Sequence, residues 1–181
     1  MAKHTICALV ENRPGVLMRV VNLFRRRNFN IDSLTVGRTQ RDDYSRITMV
    51  MEGSREQAEL VEKNLFKLVN VIQVEYMSGM PTVERDLALI KVNVNADQRR
   101  EVTQLCEIFR ARIVDVSAES MIVESTGEEA KIESFTELLR PFGIVEMVRT
   151  GVISLGRGEH TLKDDGYRPQ RSLEGARKSV L

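Results

Sequence analysis

The segment from residue 11 to residue 17, Glu-Asn-Arg-Pro-Gly-Val-Leu, combines residue types that could bind a small anion. Pro14 suits the first position of a helix, because its missing N–H would have no partner there and its φ is already helical. Gly15 lacks a Cβ and lets another molecule approach the backbone. The N–H groups of Gly15, Val16 and Leu17 would then lie unpaired in the first helical turn, at the positive end of the helix dipole. This arrangement favours a bound carboxylate.

Two asparagines extend the chemistry of this turn. Asn12 precedes it and Asn30 stands at the start of the next predicted strand, and the amide oxygen of each could accept a hydrogen bond from an ammonium group. Hydrogen-bond donors for a carboxylate, together with acceptors for an ammonium group, describe a pocket for a zwitterion, which means an amino acid. The alternative is an ordinary strand-to-helix turn with proline in a common position. The local residues alone favour this alternative, because single short motifs often match by chance.

Length and composition are those of a globular protein with one ordinary domain or two small ones: 181 residues, of which 42% are hydrophobic and 29% charged. The formal net charge of +1 provides no overall field that would attract nucleic acid or an acidic membrane. The sequence shows neither an apolar run long enough to span a membrane nor the pattern of a signal peptide. Both cysteines lie in apolar periodic segments and fit a reducing compartment. We therefore expect a cytoplasmic protein that binds neither nucleic acid nor membrane.

The order strand, helix, strand, strand, helix, strand occurs twice, with the copies offset by about 80 residues. The first helix of each copy has apolar residues at positions i, i+3, i+4 and i+7, which mark a buried face. These residues are Leu17, Val20, Val21 and Phe24 in the first copy, and Val102, Leu105, Cys106 and Phe109 in the second. The last strand of the second copy is predicted from Ile144 to Leu155. The repetition predicts two structurally similar units.

The predicted fold class is α+β: two ferredoxin-like βαββαβ units, each an antiparallel sheet with both helices on one face and its first and third strands at the centre. The first unit is predicted over residues 1–78, a linker over 79–83, the second unit over 84–158 and a flexible polar tail over 159–181.

The first strand indicates that the sheet of the first unit is covered on both faces. Its two alternating sets of side chains are both apolar: Ile6, Ala8 and Val10 on one face, and Cys7 and Leu9 on the other. The outer strands of each sheet still have unpaired edges, which proteins normally cover or pair. We therefore expect oligomerisation by sheet pairing.

No motif predicts catalysis in this chain. The sequence lacks zinc-type Cys/His spacing, a nucleophile elbow, a phosphate loop and a dinucleotide glycine fingerprint. His4 is expected to be a partly exposed residue at a strand start. RNA binding by the βαββαβ fold needs aromatic residues on the central strands, whereas these strands offer aliphatic side chains, so RNA binding is disfavoured. We expect no catalytic residue, no metal and no cofactor in the chain itself.

Several separated motifs, occurring in order, resemble a known family. The first half resembles the ACT domain of amino-acid-responsive regulators, and the whole of residues 1–160 resembles the small regulatory subunits of acetolactate synthase (acetohydroxyacid synthase). The motifs that carry the resemblance are residues 11–17, 27–36, 83–92, 107–111, 113–116 and 149–158. The resemblance implies an N-terminal ACT domain followed by a C-terminal ACT-like domain.

The resemblance also implies a function without catalysis. Members of this family activate a large catalytic subunit that uses thiamine diphosphate, magnesium and FAD, and they make it sensitive to feedback by a branched-chain amino acid, usually valine. The effector lies between the ACT domains of a homodimer. Carried over by position, one protomer contributes Asn12, Gly15, Val16 and Leu17, and the other contributes Asn30 and Ile31. The second unit has Asn-Val-Asn-Ala-Asp at 93–97 in place of the Pro-Gly turn, so we expect it to keep the fold without the ligand site.

Four questions stay open at the level of sequence. A stand-alone amino-acid sensor of the ACT class is the alternative to a regulatory subunit. The preferred effector is undetermined among valine, leucine and isoleucine, because one methylene group changes binding by only about 1–3 kcal/mol in an apolar pocket. The surface that contacts the catalytic subunit and the role of the tail after His160 are also undetermined.

Overall fold

The computed structural model describes residues 2–162 and shows two βαββαβ units in succession. The first unit consists of β1 (Ala2–Glu11), α1 (Val16–Arg27), β2 (Ile31–Arg38), β3 (Tyr44–Gly53), α2 (Arg55–Leu65) and β4 (Val71–Tyr76). The second unit consists of β5 (Thr82–Asn93), α3 (Gln98–Phe109), β6 (Arg112–Val116), β7 (Ser120–Gly127), α4 (Glu129–Leu139), a 3-10 turn (Arg140–Phe142), β8 (Ile144–Arg149) and β9 (Ile153–Gly156). The predicted α+β fold class is confirmed.

Both sheets are antiparallel and have the predicted strands at their centres. The strand order is β2-β3-β1-β4 in the first unit and β6-β7-β5-β8 in the second. The helices of each unit pack on one face and enclose a largely aliphatic core. In the first unit this core includes Ile6, Ala8 and Val10 of β1 against Val20 and Phe24 of α1. The periodic apolar residues of the sequence therefore mark the buried faces, except at Leu17, which was predicted to be buried but is 41% exposed.

The opposite face of the first sheet is buried by the same chain. Cys7 and Leu9 are 0% and 6% exposed, which confirms the prediction from the alternation in β1. The cover comes from β9 and the residues after it: the Ser154 carbonyl oxygen accepts a hydrogen bond from Arg46 Nη2 (2.7 Å), and Leu162 packs against Leu9. The second unit is thus attached to the face of the first sheet that the helices leave open.

The end of the second unit differs from its prediction. A single closing strand over 144–155 was expected, but the strand breaks at residues 150–152 into β8 and β9. Gly151 has φ +85 there, and β9 pairs with Thr82–Arg85, the first four residues of β5. Residues 82 and 83, which the sequence analysis placed in the linker, therefore belong to β5. This long strand pairs with β9 before Asp86 and with β7 from Asp86 onward.

Two residues of the segment predicted as a flexible tail contact the first unit. His160 Nε2 lies 2.8 Å from a carboxylate oxygen of Glu75, and Leu162 packs against the cluster of Leu9, Tyr44 and Ile72. The flexibility of the tail stays a prediction. Residues 163–181 lie outside the described residues.

Replacing Phe24 by alanine should lower the free energy of unfolding by about 3–5 kcal/mol, because the side chain is 1% exposed at the centre of the first core. The matched change Leu17→Ala, on the same helical stripe, should cost less than about 1 kcal/mol, because Leu17 is 41% exposed. Urea denaturation followed by circular dichroism measures both. Equal losses would contradict the assignment of Leu17 to an open surface.

Candidate functional site

The connection from β1 to α1 is a tight turn rather than the first turn of a helix. Arg13, Pro14, Gly15 and Val16 form it, with φ +82 and ψ −8 at Gly15 and a hydrogen bond from the Val16 N–H to the Arg13 carbonyl oxygen (3.4 Å). These values are those of a type II turn, which takes proline at its second position and glycine at its third. The prediction that Pro14 is the first helical residue is wrong: α1 begins at Val16, because the left-handed backbone of Gly15 cannot be part of a right-handed helix.

The turn leaves two of the three predicted donors available. The Val16 N–H is occupied by the Arg13 carbonyl oxygen, whereas the N–H groups of Gly15 and Leu17 donate to no acceptor within residues 2–162. The Val16 side chain is 4% exposed and belongs to the core. Leu17 and Met18 are 41% and 63% exposed, so apolar surface lies beside the free donors.

The space in front of Gly15 is open. A Cβ built on Gly15 would have no heavy atom within 4 Å apart from its neighbours in the chain, so a ligand can reach the backbone there. The residue is nevertheless restricted to glycine, or to asparagine and aspartate at some cost, because a positive φ strains other side chains. The glycine is therefore required by the backbone and also permits close approach.

A hydrogen-bond network connects the turn to the loops that precede β3 and β4. The Asn12 N–H donates to the Asp43 carbonyl oxygen (2.8 Å), and Asn12 Nδ2 donates to the Asp42 carbonyl oxygen (3.0 Å). The Glu11 carboxylate accepts from Asn70 Nδ2 (2.6 Å). The amide oxygen of Asn12 has no donor among residues 2–162, so it remains free to accept from an ammonium group.

Asn30 and Ile31 lie at the other end of α1. The twelve residues of α1 separate them from the turn by about 18 Å of helix. Asn30 is exposed and Ile31 is half-buried at the start of β2. One chain therefore does not bring the two predicted halves of the site together.

The other side chains that could take part in catalysis, Cys7, Cys106 and His4, are buried. Burial raises the pKa of the Cys7 thiol, and burial also raises the pKa of the Cys106 thiol to about 11, so both stay protonated at neutral pH. His4 was predicted to be partly exposed, but it is 6% exposed. Its ring nitrogens lie 2.8 Å from the Tyr76 hydroxyl and 3.2 Å from the Gly53 carbonyl oxygen, which accounts for its burial inside the fold.

Within residues 2–162, no group of three or more His, Cys, Asp or Glu side chains is arranged to hold a metal ion. No helix in this part of the chain is both long enough and apolar enough to cross a membrane.

Sequence reasoning missed one set of polar contacts, between β2 and residues 150–152. Thr35 Oγ1 donates to the Thr150 carbonyl oxygen (3.2 Å), and the Val152 N–H donates to Ser33 Oγ (3.1 Å). The partners are more than 110 residues apart in the chain, so no local pattern reveals them. Gly151, beside two strand-forming segments, was the one available signal of a break in the strand.

Comparison with known proteins gives the same assignment for both halves of the chain. Residues 6–73 match the family described as the AHAS small subunit-like ACT domain, and residues 85–158 match the family described as the small subunit of acetolactate synthase.

Relatives match over most of their length. An Archaeoglobus fulgidus protein named "Probable acetolactate synthase small subunit" is 53% identical over 156 residues, which cover 86% of this chain and 98% of the relative. The acetolactate synthase small subunit of Mycobacterium leprae is 48% identical over 155 residues, which cover 86% of this chain and 92% of the relative. The crystal structure of the acetolactate synthase small subunit from Thermotoga maritima matches with a TM-score of 0.81 at 40% identity, covering 88% of this chain and all of that one. The chain therefore belongs to the family of acetolactate synthase small subunits.

Proposed function

We propose that this chain activates the catalytic subunit of acetolactate synthase and makes it sensitive to feedback by valine, in branched-chain amino acid synthesis in the cytoplasm. Valine would bind between the first units of two copies of the chain. The observation that carries the proposal is the separation of the two half-sites within one chain, together with an unpaired strand edge that can join them.

The register of the first sheet shows where the ends of β2 lie. Ile31, at the start of β2, pairs with Met51, opposite the start of β1. Arg38, at the end of β2, pairs with Ser45, opposite the end of β1. The Asn12–Leu17 turn therefore lies at the same end of the sheet as Arg38, and Asn30 lies at the far end.

Pairing of two sheets through β2 brings the halves together. Within residues 2–162, β2 is an outer strand of the first sheet and pairs only with β3, so its other edge could pair with a second copy. If two copies of β2 pair antiparallel, the start of each strand lies beside the end of the other. Asn30 and Ile31 of one copy then lie at the end of the sheet that carries the Asn12–Leu17 turn of its partner, and a dimer has two equivalent sites.

The groups around such a site match the chemistry of valine. The N–H groups of Gly15 and Leu17 would bind the carboxylate, and the amide oxygens of Asn12 and Asn30 would accept from the ammonium group. The exposed face of Leu17 and the half-buried Ile31 would contact the aliphatic side chain. The structure thus supports the predicted roles, with the Val16 N–H as the exception because the turn already uses it.

Regulation follows from the position of the ligand at an interface. A ligand shared by two protomers binds tightly only in one arrangement of the dimer, so it shifts the equilibrium toward that arrangement. Coupling energies for such effects are about 1–3 kcal/mol. In this proposal the arrangement that binds valine activates the catalytic subunit less. Thiamine diphosphate, magnesium and FAD belong to the catalytic subunit and act there.

Mixing the chain with the catalytic subunit should raise the rate of acetolactate formation, and valine should reduce that rate along a saturation curve. The assay is a valine titration of the reconstituted complex, with the catalytic subunit alone as the control. Stimulation that valine does not change would refute the feedback part of the proposal. Absence of both stimulation and co-purification, with valine still bound, would identify a stand-alone sensor instead.

Gly15→Asp should weaken valine binding by about 100-fold, or about 2.8 kcal/mol, because its carboxylate would repel the carboxylate of the ligand. Gly15→Asn is the matched control, since it has the same shape, tolerates a positive φ equally and carries no charge. Isothermal calorimetry on both variants separates charge from backbone strain. Equal affinities of the two variants, or no loss in either, would show that the valine carboxylate does not lie at this turn.

A further inference from the structure

The turn between β8 and β9, residues 150–152, is built around one buried carboxylate. The side chain of Asp86 is 0% exposed and accepts from Arg149 Nε (2.6 Å), Thr150 Oγ1 (3.2 Å) and the Gly151 N–H (3.1 Å). A buried carboxylate with several donors is held firmly, because losing any donor would leave charge unpaired in the interior. Asp86 therefore fixes the shape of the turn and its position on β5.

The turn is seated directly on β2 of the first unit. Besides the hydrogen bonds from Thr35 Oγ1 to Thr150 and from the Val152 N–H to Ser33 Oγ, the backbone of Gly151 lies against both hydroxyls. A Cβ on Gly151 would lie 2.6 Å from Ser33 Oγ and 2.8 Å from Thr35 Oγ1. A methyl group at residue 151 would have to displace the two hydroxyls, so the turn and this part of β2 are in direct contact.

Ion pairs make a second connection between β2 and the second unit. Lys3 Nζ lies 2.9 Å from a carboxylate oxygen of Asp32 in β2 and 2.8 Å from Glu129, the first residue of α4. Hydrogen bonds to Glu129 and Asp32 raise the pKa of Lys3, so it carries its charge at neutral pH. Arg149 Nη2 lies 3.8 Å from Glu129 and links this pair back to the turn.

We propose that this joint, formed by Ser33 and Thr35 of β2 with the 150–152 turn, transmits the state of the effector site to the second unit. This proposal rests on the proposed function, because it assigns a route to the regulation that valine exerts. The second unit would then be the part of the chain through which valine changes the activation of the catalytic subunit.

The position of the joint on β2 is the reason for the assignment. Ser33 and Thr35 stand two and four residues after Ile31, which contributes to the effector site, and all three belong to one strand of eight residues. β2 is also the strand whose free edge would pair in the dimer. A shift of β2 on ligand binding therefore acts on the joint directly, and Asp86 carries the shift into β5, the central strand that pairs with β7, β8 and β9.

The test uses the full chain with its catalytic subunit and the double variant Ser33→Ala with Thr35→Val. This variant removes both hydroxyls of the joint and leaves every predicted effector residue in place. Ser134→Ala is the control, because Ser134 is exposed on α4 and, within residues 2–162, its hydroxyl donates only to the Ala130 carbonyl oxygen of the same helix. Gly151→Ala is a second variant that disturbs the joint from the other side, because it places a methyl group against both hydroxyls and strains the turn at a residue with φ +85.

Three quantities are measured for each protein: valine affinity by calorimetry, stimulation of the catalytic subunit, and the valine concentration that halves the stimulated rate. We expect both joint variants to bind valine within threefold of wild-type affinity and to stimulate the enzyme. We expect the half-inhibitory concentration to rise at least tenfold, within the range of known allosteric couplings. Ser134→Ala should match wild type in all three.

The outcomes separate this proposal from the one on which it rests. If wild type binds valine and responds to it, and the joint variants respond identically, the joint does not transmit the signal and the proposal is overturned while the proposed function stands. If the joint variants lose valine affinity and inhibition in parallel, the joint supports the binding site only, which also overturns it. If wild type neither binds nor responds to valine, the proposed function fails and this proposal fails with it.

Discussion

The left-handed backbone of Gly15 is the constraint on which the candidate site depends. With φ +82 it completes a type II turn after β1. As a result α1 begins at Val16 rather than at Pro14. The same geometry points the Val16 side chain into the core and uses its N–H in the turn, while the N–H groups of Gly15 and Leu17 have no acceptor within residues 2–162. One backbone angle thus decides which groups stabilise the fold and which are free to bind.

The length of α1 and the register of the first sheet are the reasons for proposing that two chains form each effector site. Because about 18 Å of helix separates the turn from Asn30, no small conformational change within one chain can join them. If a second copy pairs with the outer edge of β2, its Asn30 lies near the Asn12–Leu17 turn of the first copy. The same strand carries Ser33 and Thr35, which contact the 150–152 turn, so the proposed dimer pairing and one contact between the units involve the same eight residues. In the proposed mechanism, regulation depends on the location of these contacts on one strand.

The sequence was sufficient for features that depend on local periodicity and insufficient for those that depend on distant partners. Apolar spacing predicted the cores around Phe24 and Cys106, since it reports burial directly. Pro14-Gly15 was assigned to a helix start because the φ of proline is the same there as in a type II turn; only the conformation of Gly15 distinguishes them. The break at 150–152 was missed because apolar strand residues continue on both sides, and its partners Ser33 and Thr35 are remote in the chain.

The central claim, that two chains complete each effector site, is tested most directly with mixed dimers of Gly15→Asp and Asn30→Lys chains. Each variant alone should fail to bind valine, because the first repels its carboxylate and the second its ammonium group. A purified dimer with one chain of each kind contains one site with both changes and one site with neither, so calorimetry should find one valine bound per dimer. A mixed dimer that binds no valine would contradict the account, because it would place Gly15 and Asn30 of the same chain in one site.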